Sequence, residues 1–172
     1  MKRTILISLL VVCASYCHGI SLEKFFLDTD RFLQTYVTDG EVDYKKIRKQ
    51  TAEIQQLYQD IGKISLENKS RDEIKAFYLN AYNIIVIHET LFNKKHKKLL
   101  KSGKFFKEVR HNINGQDLTL EKLERKYLLL KFRDPRIYFY LGHSTRGKSQ
   151  FQEFAISPQK IQEQLESLSI RG

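Results

Sequence analysis

A histidine, a serine and a glutamate are the first candidates in this chain for moving protons or attacking a carbonyl. Their spacing limits what they can do. His143 and Ser144 are neighbours, and Glu124 is the carboxylate that could orient the imidazole. Adjacent residues on an extended chain point to opposite faces, so adjacency is not the geometry of a nucleophile and its base. No Gly-x-Ser-x-Gly elbow presents a serine. Hydrolytic chemistry through Glu124 and His143, in a cleft beside the central helix, stands as the alternative; a polar loop over 142–150 is the plainer expectation. The run GHSTRGKS from Gly142 to Ser149 has the count of a phosphate-binding P-loop. Such a loop needs a helix directly after it, and Ser157-Pro158 would interrupt one at once. An anion resting on Arg146 and Lys148 fits the stretch better. His88, His96, His111 and His143 form neither an HExxH pair nor part of an Asp-rich loop, so neither a metal nor a cofactor is expected.

Two further stretches carry polar groups in pattern. Ala76 to Leu91, reading AFYLNAYNIIVIHETL, is the longest apolar run outside the N-terminus, yet it holds Asn80, Asn83 and His88. Residues three apart share one helix face. An unpaired buried amide costs ~1–3 kcal/mol, so Asn80 and Asn83 are expected to bond backbone in neighbouring loops as structural anchors. Tyr82 and Arg136 are grouped with them as site scaffold. From 93 to 104 the chain is crowded with Lys94, Lys95, Lys97 and Lys98, with His96 among them. This cluster is the candidate contact for an anionic surface. It has too few aromatics for a single-strand nucleic-acid platform, and a solvated connector is the plainer reading.

The elements that must position these groups follow from periodicity. Residues 21–36 form an amphipathic helix capped by Ser21, and Thr38-Asp39-Gly40 is a turn. A second helix is expected over 44–61, with Gly62 as its stop. Ser70 and Glu73 make a capping box that opens the central helix, 71–92. Asn114-Gly115 accepts the positive φ angles of a type I′ turn and predicts a hairpin over 109–118. Thr119 caps a helix over 120–130, whose buried face would be Leu120, Leu123, Tyr127 and Leu130. Alternation over 136–141 predicts a third strand, and Ser157-Pro158 starts a last helix that runs to about 168. The fold class is therefore α+β: a helical N-terminal half, with a central buried helix, packed on a small antiparallel sheet.

Length and composition agree with one domain. The chain has 172 residues, 41% of them hydrophobic, and a formal net charge of +10. Lys2-Arg3, the apolar stretch 5–13 and a small-residue end at Gly19 predict a signal peptide over 1–19, followed by one domain over 20–172. The mature chain would be extracytoplasmic, periplasmic or secreted, without a transmembrane segment. Both cysteines, Cys13 and Cys17, fall in that leader, which removes thiol chemistry and disulfides from the mature protein. The remaining basic excess favours an anionic cell-envelope polymer or a protein as partner, and nothing points to a specific nucleic acid.

Four blocks together resemble the domain-of-unknown-function family 547. Asp39 to Tyr44 (DGEVDY) is similar to its "DG-VDY" opening. Ala76 to Asn83 (AFYLNAYN) is similar to its "AFWINAYN" signature, with Tyr78 where Trp is usual. Leu118 to Glu124 (LTLEKLE) is similar to its "SL-DIEH" block, and Asp134 to Phe139 (DPRIYF) to its "DPRIHFA" strand. The resemblance covers about 28–168. It also implies losses. His143 and Lys148 stand where the family has cysteines, Arg125 where it has the His of a Glu-His pair, and Tyr138 where it has the strand His. Members run on for further elements, whereas this chain ends at Gly172. The resemblance thus implies a family member of undefined activity, read as a non-catalytic binding domain.

Overall fold

The computed structural model describes residues 20–93, 103–142 and 150–171. It is α+β, with a helical N-terminal half and two small antiparallel hairpins. Helix α1, Leu22–Tyr36, starts at Ser21, whose hydroxyl accepts from the Lys24 N–H. It buries Phe25, Phe32 and Leu33. Strands β1, Val37–Thr38, and β2, Glu41–Val42, pair Val37 with Val42 around Asp39 and Gly40, both at positive φ.

The single helix expected over 44–61 is two helices. α2, Tyr44–Lys49, is capped by the Asp43 carboxylate; the chain then leaves helical angles at Gln50 (φ −147°) before α3, Ala52–Lys63. The corner lets Ile47 pack from α2 beside α1, while Ile54, Leu57 and Ile61 fill the space shared by α1, α3 and the central helix. Gly62 is not the stop, since α3 runs through it. Its role is clearance: a Cβ there would lie 2.8 Å from the Asn112 amide nitrogen. The close approach lets Asn114 N–H and Gly115 N–H donate to the carbonyls of Ile61 and Gly62 at 2.8 and 3.0 Å. The tip of the second hairpin thereby caps the end of α3.

Helix α4, Arg71–Phe92, is the axis of the molecule. Ser70 and Glu73 close the capping box in both directions, at 3.2 and 2.8 Å. Every residue from 75 to 87 is buried, so this helix is covered on all faces. A short helix α5, Lys104–Glu108, leads into strands β3, Arg110–Ile113, and β4, Gln116–Thr119, turned by Asn114 and Gly115.

Two expectations fail in the C-terminal half. The helix after Thr119 is not regular: α6, Leu120–Lys122, passes into a π-helical run, Leu123–Leu129, and then α7, Leu130–Phe132. The wider turns take in one extra residue. The buried positions become Leu120, Leu123, Leu128 and Phe132; Tyr127 is half-buried and Leu130 is 71% exposed. The third strand is absent as well. Pro135–Phe139 is a 3-10 turn, because the Asp134 carboxylate accepts from the Arg136 N–H and Pro135 occupies the first helical position. Its three-residue repeat buries Ile137 and Tyr140 and turns Tyr138 and Phe139 outward. The sheet expected from 109–118 and 137–141 is thus the β3–β4 hairpin without a third strand. The last helix, α8, Ile161–Arg171, begins a few residues later than expected, after turns at 158–160. Among the described residues no helix is long and apolar enough to cross a membrane.

Candidate functional site

Glu124 occupies the second position of the π-helical run, and π turns occur often at functional sites. The run is anchored on α4 by Leu123 and Leu128. That places Glu124 against Tyr82, a fully buried residue of α4, and the phenol and the carboxyl are hydrogen-bonded. Burial raises the Glu124 pKa above its ordinary 4.5; the bond from Tyr82 opposes this, and the nearby Glu121 carboxylate adds to it. Burial and the adjacent Glu124 charge drive the Tyr82 phenol far above its usual value. The Tyr82 ring lies nearly parallel to Phe106 of α5, at 6.4 Å.

Glu124 opens on the other side to a groove of about 460 Å³ between α5 and the π run. Phe106 and Leu129 line it, with the exposed Leu130 and Tyr138. Lys107 and Arg125 bring positive charge; Lys107 lies 3.9 Å from Glu121, an exposed and therefore weak pair. A groove that mixes exposed apolar and aromatic side chains with two cations and the two carboxyls of Glu121 and Glu124 can hold a ligand with both apolar and charged parts.

Asn80 and Asn83 work one layer away. The Asn80 carbonyl oxygen accepts from the Tyr140 hydroxyl at 2.7 Å and the Ile156 N–H at 2.9 Å, and its amide donates to the Ile156 carbonyl at 2.9 Å. Asn83 donates to the Tyr140 carbonyl at 3.0 Å and accepts from the Gly142 N–H at 2.7 Å. Two asparagines one helical turn apart thus tie segments 140–142 and 156 to the central helix. Gly142 is pressed on the Phe151 ring so closely that a Cβ would lie 2.1 Å from it. On the far side of 143–149, the Phe151 N–H donates to the Gly40 carbonyl at 3.0 Å. The chain is therefore clamped on both flanks of 143–149.

Arg136 belongs to a separate network. Its guanidinium grips the Asp134 carboxylate with Nε and Nη2 at 2.9 Å each and reaches Glu166 and Gln162. Asp134 also accepts from Lys75 at 2.5 Å, a lysine of α4 only 3% exposed. The Arg136 and Lys75 donors hold the Asp134 carboxyl well below the usual carboxylate range.

His88 is stacked on Tyr58, with centroids 3.9 Å apart, and its Nδ1 lies 3.3 Å from Glu89. Tyr58 in turn bonds the buried His111 at 3.1 Å, and burial beside Glu89 pushes its phenol up to about 12. Among the described residues, no group of three or more His, Cys, Asp or Glu is placed to hold a metal ion.

The structure therefore brings Glu124 and Tyr82 together, and gives Asn80, Asn83 and Arg136 their contacts elsewhere. His143, Lys94, Lys95, Lys97, Lys98, Arg146 and Lys148 lie outside the described residues. Sequence reasoning missed Lys107 and Leu130 as groove residues, and missed Lys75. A signal for Lys75 was present: a lysine entering a wholly apolar helical stretch needs a buried partner.

Comparisons with known proteins point one way. A family model described as "Protein of unknown function, DUF547" matches residues 66–170, which takes in the AFYLNAYN signature, the LTLEKLE block and the DPRIYF turn but not the DGEVDY block. No curated protein and no solved structure matches. With more than half of its length matched, from the capping box of α4 to the last helix, this chain belongs to that family of unknown function.

Proposed function

We propose that this family member is an exported binding domain that holds an anionic partner, an acidic stretch of a cell-envelope polymer or protein, in the groove between α5 and the π run. The observation that carries this reading is Arg125 in the wall of that groove, beside Glu124. Resemblance to the family places a histidine at this position. A guanidinium stays charged at any physiological pH, so it offers an anion a permanent partner and cannot act as a proton acceptor. Exposed Leu130 and Tyr138 beside it supply the apolar contact that recognition surfaces combine with arginine. The leader-like residues 1–19 support export, and the lysines of 94–98 with Arg146 and Lys148 add sequence charge of the right sign.

Titration of the purified chain with polyglutamate at low salt tests the proposal. Arg125→Gln is expected to weaken binding about tenfold, which corresponds to about 1.4 kcal/mol. Because Arg125 is exposed, the unfolding midpoint should hold. Undiminished binding by Arg125→Gln would sink the groove as the site. The Tyr82–Glu124 contact favours a second reading, a hydrolase-like enzyme in which the half-buried Glu124 carboxyl acts as general acid with His143. Ester hydrolysis by the parent chain that disappears in Glu124→Gln would establish that reading instead.

A further inference from the structure

A second concavity, of about 350 Å³, lies where the first turns of α4 meet the 132–136 turn. It shares no lining residue with the groove. Four cations line it (Arg71, Lys75, Arg133 and Arg136) against two carboxylates, Asp72 and Asp134. The carboxylates do not cancel them in kind. Asp134 is fully engaged by Lys75 and Arg136, and Arg136 also donates to Gln162 and Glu166. Asp72 sits in the first turn of α4, where the helix dipole favours its charge. That leaves donors to spare. One Arg71 nitrogen donates to the carbonyls of Lys131 and Phe132 at 3.3 and 3.4 Å, while the guanidinium rests on the Phe132 ring, 5.0 Å from its centroid. A guanidinium has five N–H groups, so most of them remain open. Lys75, though buried, has Asp134 as its one hydrogen-bond acceptor among the described residues and keeps two further N–H groups.

Arg133 adds an independent observation. It stands just past the end of α7 with φ 54° and ψ 38°, the left-handed conformation that favours glycine and that helices commonly end on. Its side chain is exposed and has no hydrogen-bond or ion-pair partner among the described residues. An arginine in a conformation that suits glycine better gives up backbone stability to place a charge there.

We propose that this pocket is a binding site for a phosphate group, taken between the guanidinium groups of Arg71 and Arg133 with the Lys75 ammonium in its wall. Donors arriving from three separate side chains suit a tetrahedral oxyanion with several exposed oxygens better than a flat carboxylate. Phe132 holds two of the three in place through cation–π contact, at 5.0 Å for Arg71 and 5.8 Å for Lys75. The shared chemistry is the phosphate, free or borne by a lipid headgroup, and the site stands whether or not the groove binds an acidic partner.

The full chain is titrated separately with inorganic phosphate and with vesicles of phosphatidylglycerol, with acetate at matched ionic strength as comparison. Arg133→Gly removes the charge and suits the backbone, so its unfolding midpoint should be equal or higher. It is expected to weaken binding at least tenfold, and Arg71→Gln to do the same. Lys126→Gln, an exposed cation outside the pocket, should stay within twofold and so separates the site from net charge. Loss with phosphate assigns the free ion; loss with vesicles alone assigns the headgroup. Arg133→Gly binding both probes as tightly as the parent, or acetate acting as well as phosphate, would overturn the proposal.

Discussion

At the scale of single residues, two carboxyls with shifted pKa values, Asp134 and Glu124, pull stability in opposite directions with pH. Asp134 is held below its ordinary 3.8 by Arg136 and Lys75. Its contribution is therefore full above about pH 4 and is lost as pH falls further through the folded value. Replacing it with Asn leaves Lys75 as a buried charge without a counter-ion. Breaking such a pair costs roughly 3–5 kcal/mol, so Asp134→Asn should lower the chemical-denaturation free energy by about that amount at neutral pH. The same variant should flatten the acid limb of a stability–pH curve. Glu124 has the opposite sign. Its folded pKa is raised above 4.5, so its contribution is present below that value and is lost as pH rises through the folded one. Glu124→Gln should match or exceed the parent at pH 7, and the gain should vanish at pH 4, as read from paired thermal scans. Asn80 is the third sensitive residue. Asn80→Ala strips partners from the Ile156 N–H, the Ile156 carbonyl and the Tyr140 hydroxyl, all buried. A loss of about 3 kcal/mol or more is expected, with the denaturant slope unchanged.

At the scale of elements, local chemistry decides most boundaries. The capping box of α4 and the Asn114-Gly115 turn lie where the sequence puts them, because each is completed by residues within four positions. Gly115 has φ 72° and open space where a Cβ would stand, so Gly115→Ala isolates backbone strain. It should destabilise the protein by about 1 kcal/mol, and if α3 relies on this tip as a cap, hydrogen exchange at the end of α3 should quicken. The π run and the missing third strand were not legible. Leu120, Leu123, Tyr127 and Leu130 satisfy a regular helix on paper; only the demand to bury Leu128 and Phe132 against α4 inserts the extra residue. Likewise the alternation over 136–141 suits a strand, but Asp134-Pro135 begins a tight turn locally, and among the described residues no neighbouring edge pairs with it.

At the scale of the whole molecule, α4 is wrapped on every side, and two of its polar side chains do the wrapping of the C-terminal third. Asn80 and Asn83 hold 140–142 and 156; Asp30 accepts from the Ala155 N–H at 2.8 Å, and Gln164 accepts from the Ser157 N–H at 2.9 Å. The segment 150–157 is thus an irregular strand of chain whose backbone partners are mainly side chains. The basic excess acts at this scale too. If binding runs through exposed Arg125 and Lys107, affinity for polyglutamate should fall steeply between 50 and 500 mM salt, since surface attraction is screened over roughly 10 Å at 0.1 M. Affinity that holds at high salt would place the energy in the apolar contacts of Leu130 and Tyr138.

Short-range patterns in the sequence were sufficient for the class of fold, the central helix with its cap, the hairpin turn and the family resemblance. Each of these rests on interactions between residues close in the chain or on motif identity. Tertiary structure alone decided that Tyr82 meets Glu124, that Lys75 meets Asp134, and that Gly62 serves clearance rather than termination. Those partners are separated by dozens of residues, and nothing in local spacing encodes which buried polar group will face which. The choice falls to the requirement that every group carried inward by the apolar surface of α4 find a partner there.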